Sequence, residues 1–178
     1  MNRSFADRPD RLVVVTRVGP LASSLVAELD ALGLPVVHAP MFALDPIDER
    51  ALADEFDRGA PFERVVVTSP RAAEVALRSI GARRLRDTLC IAPGAGTAAP
   101  LREAGVPVVH PESGGTSEDV LALPALAAAR IEGRSILILA ADGGRTRIAE
   151  TLADRGAEVR MLAPYRRVPL APPSALLD

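Results

Sequence analysis

The feature that most restricts what this chain can fold into is a unit that recurs along it. Each copy has an apolar run, a turn containing glycine, a stretch at helical spacing, another glycine and a second apolar run. In the first copy, residues 12–40, Val13, Val14 and Val15 form a strand that ends at Thr16-Arg17, and Gly19-Pro20 turns the chain. Leu21, Leu25, Leu29 and Leu32 then recur at helical spacing. Gly33 ends that helix, where a positive φ is wanted, and Val36-Val37-His38 is the next strand. The second copy, residues 91–111, turns at Gly94-Ala95-Gly96-Thr97 and closes with a strand from Val106 to His110. The third, residues 136–164, turns at Gly143-Gly144, carries Ile148, Leu152 and Arg155 on a helix ended by Gly156, and closes with Val159 to Leu162. Strand, helix and strand in this order make a βαβ unit, and short continuous apolar strands predict a parallel sheet covered on both faces.

Two more elements fit between the copies. Val65-Val66-Val67 reads as a strand ending at Thr68-Ser69-Pro70, with a helix from Arg71 to about Ile80. Residues 117–130 read as a helix that Ser117 can cap, with Glu118 and Asp119 at the positive end of its dipole. Pro124 should kink or split it. Strands near 65–67, 89–92, 106–110, 135–140 and 158–162 then suffice for a complete flavodoxin-like doubly wound domain, its strands ordered as in that fold. The unit at 12–40 is left as an orphan, too small for a core of its own. After residue 165, Pro169, Pro172 and Pro173 rule out a helix or an inner strand of any length.

Composition narrows the function classes. Hydrophobic residues make up 48% of the 178, ample for a core, but aromatics only 3%, so that core must be aliphatic. The net charge of -2 gives nucleic acid no basic field to meet. Every basic residue is Arg. Schiff-base chemistry, P-loop phosphate binding and receiver-type phosphorylation all lack their Lys. Cys90, the sole cysteine, lies in an apolar run and reads as a small buried hydrophobe. The polar first ten residues do not form a signal peptide, and no apolar run reaches a membrane span of ~18 residues. A cytoplasmic protein is expected.

The loop residues, taken together and in order, resemble the uroporphyrinogen-III synthase family. The resemblance rests on Val15-Thr16-Arg17 with Leu32-Gly33 and Pro40, then Thr68-Ser69-Pro70-Arg71, then Gly94-Ala95-Gly96-Thr97-Ala98 with Leu101 and Gly105. Ser117-Glu118-Asp119, Gly144-Arg145, Arg155-Gly156-Ala157 and Pro164-Tyr165-Arg166-Arg167 complete it. Each motif alone is weak, and the set spans residues 12–168. The resemblance implies a bilobal protein whose chain starts one α/β lobe, builds the whole second lobe and returns to the first. Residues 1–40 would be an incomplete first lobe, 41–164 the complete second lobe, and 165–178 a return that is cut off. It also implies conversion of hydroxymethylbilane to uroporphyrinogen III, with inversion of the last pyrrole ring and no cofactor or metal, in a cleft between the lobes. The partner expected is a small tetrapyrrole, with no nucleic acid and no membrane. The uncovered apolar face of the 12–40 unit points to self-association.

That reaction needs an acid for the departing hydroxyl and donors for eight carboxylates. Tyr165, the one Tyr, matches the family's cleft tyrosine and is the first candidate acid; otherwise it plugs a hinge. Thr68, Ser69 and Thr97 follow strand ends at the carboxyl edge of the sheet, where they could bind carboxylates, cap helices, or do both. Gly96 belongs to the same turn, which lacks the third glycine of a dinucleotide fingerprint because Ala99 stands there. Arg17 and Arg145 follow strands and could clamp carboxylates, or be ordinary surface arginines. His38 and His110 end equivalent Val-Val-His strands, which favours a structural role. The main rival reading is an inactive tetrapyrrole-binding or regulatory fragment of the same fold. A receiver-like module and a nucleotide-binding transferase fit less well.

Overall fold

The three repeats fold as strand–helix–strand units in a computed structural model that describes residues 12–59, 61–143 and 146–171. The first part of the chain forms β1 (Val13–Val15), α1 (Pro20–Ala31), β2 (Val36–His38), β3 (Phe42–Pro46) and α2 (Glu49–Gly59). Next come β4 (Arg64–Val67), α3 (Pro70–Ser79), α4 (Ala82–Leu85), β5 (Leu89–Ile91), α5 (Ala95–Glu103) and β6 (Val108–Val109). The remainder is α6 (Ser117–Leu121), a 3-10 turn at Pro124–Leu126, α7 (Ala128–Ile131), β7 (Ser135–Leu139), α8 (Arg147–Asp154), β8 (Glu158–Leu162) and β9 (Tyr165–Pro169). The chain divides into two compact units, one of Met1–Asp45 with Arg167–Asp178 and one of Pro46–Arg166.

In the larger unit five strands form one parallel sheet in the order β6-β5-β4-β7-β8. This is a doubly wound α/β sheet, as the apolar runs predict. Its order differs from the flavodoxin one, in which the third strand lies beside the first. Here the second and third strands step away from β4 on one side, and β7 and β8 fill the other. Periodicity marks where strands lie but not which strand each one pairs with. The core is aliphatic: Val66, Ile91, Leu126, Ile131, Ile136, Ile138 and Leu152 are buried together. Each such side chain contributes about 1.5–3 kcal/mol by leaving water.

The stretch at 117–130 is divided as Pro124 demands, into α6, a 3-10 turn and α7. Its cap is Thr116 rather than Ser117. Thr116 Oγ1 accepts the Asp119 N–H, and the Asp119 carboxylate accepts the Thr116 and Gly115 N–H groups, a closed capping box. Arg155 ties the broken halves by donating from one Nη1 to the carbonyls of Leu121 (2.8 Å) and Leu126 (2.6 Å).

In the smaller unit β1 and β2 pair in parallel, Val13 opposite Val36 and Val15 opposite His38. Gly19, at φ 84, precedes Pro20 at the first position of α1, and Gly33, at φ 71, follows its end. Leu12, Val14 and Leu32 are exposed, and Leu25 and Leu29 half-buried. β3 and β9 form a second pair, absent from the sequence reading. Arg167 lies over the Phe42 ring at 5.5 Å, and Leu170 N donates to Met41 O at 3.0 Å. These contacts group residues 41–45 with the smaller unit, beyond the break expected after Pro40. Pro169 ends β9 in a two-stranded sheet, where its missing N–H is tolerated.

Candidate active site

The sheet order of the larger unit puts its reversal between β4 and β7, and ligands of open α/β folds bind outside the strand ends at such a point. β4 ends at Val67, opposite Leu139 of β7. Beyond it Thr68 is tied to β7, since both its N–H and its Oγ1–H donate to Leu139 O, each at 3.1 Å. Thr68 is therefore a strand clasp and caps no helix. Ser69 is the N-cap of α3: its Oγ accepts the Ala72 N–H at 3.1 Å. Pro70 at the first helical position suits that role, because its nitrogen has no N–H to satisfy.

Tyr165 meets this end from the other side. After β8 the chain turns back, and Tyr165 O accepts the Asp142 N–H at 3.1 Å, in the loop that follows β7. The Tyr165 Oη then lies 3.0 Å from Ser69 Oγ. The side chain is buried, at 3% exposure. Residues 96 positions apart in sequence are thus joined hydroxyl to hydroxyl at the reversal point.

The second helix start at this edge is that of α5. Its cap is Gly94, in extended backbone, and Thr97 lies inside the first turn with its side chain buried. Thr97 is thus not the cap that its sequence position allowed. Gly96 is exposed in the same turn, with open space where a side chain would stand. Because α3 packs against α5, two helix N-termini face the same edge. The amides of a helix's first turn lack intrahelical partners and favour an anion. The loop before α6 also reaches this edge: a Cβ on Gly115, at φ +144, would stand 3.2 Å from Pro93 O.

Arg71, which the sequence marks only as the end of the Thr68-Ser69-Pro70-Arg71 run and the start of a helix, lies in the first turn of α3. Its Nη1 pairs with Glu74 at 3.1 Å, and its Nε is buried with no hydrogen-bond partner. Its place directly after Ser69-Pro70 was the available signal. Arg17 belongs to the smaller unit, exposed, its carbonyl accepting His38 Nε2–H at 2.9 Å. Arg145 lies outside the described residues. His110 donates through Nδ1 to Pro111 O at 2.7 Å, so both histidines serve the backbone at strand ends. Cys90 is buried in β5, and loss of solvation pushes its thiol up to about 11, which leaves it protonated and unreactive at neutral pH. Among the described residues no cluster of His, Cys, Asp or Glu could hold a metal, and no helix is long and apolar enough to cross a membrane.

The profile of the family described as "Uroporphyrinogen-III synthase HemD" matches residues 23–178. The chain belongs to the uroporphyrinogen-III synthase family. Its relatives include the uroporphyrinogen-III synthase of Escherichia coli, 32% identical over 162 residues, or 87% of this chain and 64% of that protein. That of Proteus mirabilis is 29% identical over 161 residues, 88% of this chain and 80% of that protein. The chain therefore spans just under two thirds of the Escherichia coli relative. Among solved structures, a mutant uroporphyrinogen III synthase from Thermus thermophilus superposes with a TM-score of 0.62 at 20% identity, over 89% of this chain and 63% of that one. The Helicobacter pylori synthetase gives 0.54 at 17%, over 90% and 62%. These likenesses show the fold: the five-stranded unit is one lobe of the bilobal, flavodoxin-like arrangement of the family.

Proposed function

We propose that the protein closes hydroxymethylbilane to uroporphyrinogen III, with inversion of the last pyrrole ring and without a cofactor. The observation that carries this, within a chain of this family, is the Tyr165 phenol held against Ser69 at the sheet's reversal point. A phenol there can protonate the departing hydroxyl, a step worth about 10²–10⁴-fold in rate. The first turn of α3 and that of α5, which holds Gly96, suit the substrate's carboxylates, with Thr68 at the strand end beside α3, and Arg17 and Arg145 are further candidate clamps from the sequence. The tetrapyrrole is thus the expected small-molecule partner.

The test uses protein in excess over hydroxymethylbilane, so that a single slow turnover is visible. Type-III product above the spontaneous type-I background is expected. Tyr165→Phe should slow its formation about a hundredfold or more, with little change in substrate affinity. Type-I product alone from folded protein would oppose the reading. Tetrapyrrole binding without conversion would favour the second reading, a tetrapyrrole-binding protein of the same fold.

A further inference from the structure

Ser69 Oγ has two neighbours, the Ala72 N–H at 3.1 Å and the Tyr165 Oη at 3.0 Å. The amide can only donate, so one lone pair of Ser69 faces the start of α3. We infer that Ser69 is a positioning residue for Tyr165: its hydroxyl donates to Tyr165 Oη, so that the phenolic proton points away, toward the ligand side. This deepens the proposed function and rests on it, because a phenol that spent its proton on Ser69 could not give it to a substrate.

Three features support the direction. The Ser69 oxygen accepts from a helix amide, and a hydroxyl that accepts becomes the better donor, since bonds in a chain polarise one another. The position at the α3 N-terminus favours negative charge on the oxygens next to it. The Tyr165 side chain is buried, so packing holds the ring in place and the hydroxyl contact decides where the proton lies. In the reaction the Tyr165 O–H bond breaks as its proton joins the leaving hydroxyl. The C–O bond breaks and takes its electron pair out as water. The phenolate is met by the Ser69 O–H, and it regains a proton when the last ring loses one on becoming aromatic again. Ser69 thus acts through Tyr165, and its effect falls on turnover rather than on affinity.

The chain has one Tyr and no Trp, so ultraviolet resonance Raman reads Tyr165 without labelling. The tyrosine doublet separates an accepting phenol from a donating one. An accepting phenol is expected in the parent protein and in Ser69→Thr. Ser69→Asp keeps a capping oxygen but has no proton to give, and should turn the phenol into a donor. A donating phenol in the parent, or a doublet unmoved by Ser69→Asp, would overturn the inference without any turnover being needed. In the isomer assay Ser69→Ala should lower kcat about tenfold to a hundredfold at nearly constant KM, and Ser69→Thr should restore most of it. Equal loss in Ala and Thr, or a change confined to KM, would also count against it. Unchanged isomer kinetics in Tyr165→Phe would remove Tyr165 from the mechanism and the positioning role of Ser69 with it, whereas type-I product alone from the parent would remove the proposed function and leave the Raman result standing.

Discussion

The chain carries the same four residues, Val-Val-Val-Thr, twice, and the two copies meet different fates. At Val65–Thr68 the strand lies between β5 and β7, hydrogen-bonded on both sides. Val66 at its centre is 1% exposed. At Val13–Thr16 the strand pairs with β2, and Val14 is 40% exposed. The two threonines part company as well. Thr68 clasps Leu139 O of the neighbouring strand, whereas Thr16 is exposed. A triple-valine run states that a strand can form there. How much of it is buried depends on how many elements arrive to cover it, and that is decided far away in sequence.

The sharpest break of this comparison is a charge at the matching central valines. Val66→Asp buries a carboxylate with no partner in the five-stranded core, a cost of at least several kcal/mol, and should abolish cooperative unfolding of the larger unit. Val14→Asp should leave that transition in place. Circular dichroism melts of both variants check this, and equal damage would erase the distinction. Leucines give a smaller contrast. Leu139→Ala, fully buried in β7, should cost about 2–5 kcal/mol, and Leu32→Ala, at 68% exposure, within about 0.5 kcal/mol, measured by urea unfolding.

Loss of the α6 cap is smaller again. Thr116→Ala should destabilise the larger unit by about 0.5–2 kcal/mol. The Asp119 half of the box adds a pH signature. Donors from the Gly115 backbone, the Thr116 hydroxyl and the Thr116 backbone hold its carboxyl below its ordinary value of 3.8. The folded form thus favours the charged state. The contribution is present above that value and lost as pH falls through the lowered one, because the unfolded chain then binds the proton first. The stability gap between Thr116→Ala and parent should narrow in acid by the part that runs from the Thr116 hydroxyl to the Asp119 carboxylate, and a gap unchanged down to the acid limit would disprove that half of the box. The weakest expected effect is association through the exposed apolar residues of the smaller unit. Sedimentation velocity should show mass rising with concentration, and Leu32→Glu should reduce it; a concentration-independent monomer would end the idea.

Much was legible in local pattern. Apolar runs located the five strands of the larger sheet within a few residues, Gly33 and Gly156 marked helix ends, and Pro124 forecast the broken helix. These signals are local because they arise from side-chain period and from the φ restrictions of Gly and Pro. β3 and β9 escaped because Phe42–Pro46 and Tyr165–Pro169 carry mixed, charged runs that become strands only by pairing with each other. The cap of α6 was misread by one residue because Thr116 and Ser117 are both good caps, and only the Asp119 geometry chooses between them.

By itself the sequence determined a parallel, aliphatic α/β sheet, a chemistry without lysine, and Ser69 and Tyr165 as residues to watch. Tertiary structure alone decided that β7 lies beside β4, and with it that a serine at a helix start and a tyrosine 96 positions later share a hydrogen bond. Secondary-structure signals are written over a few residues, where sterics and period act. Strand neighbours, burial and hydroxyl pairing are set when distant segments close on one another, and no local pattern encodes which of them will meet.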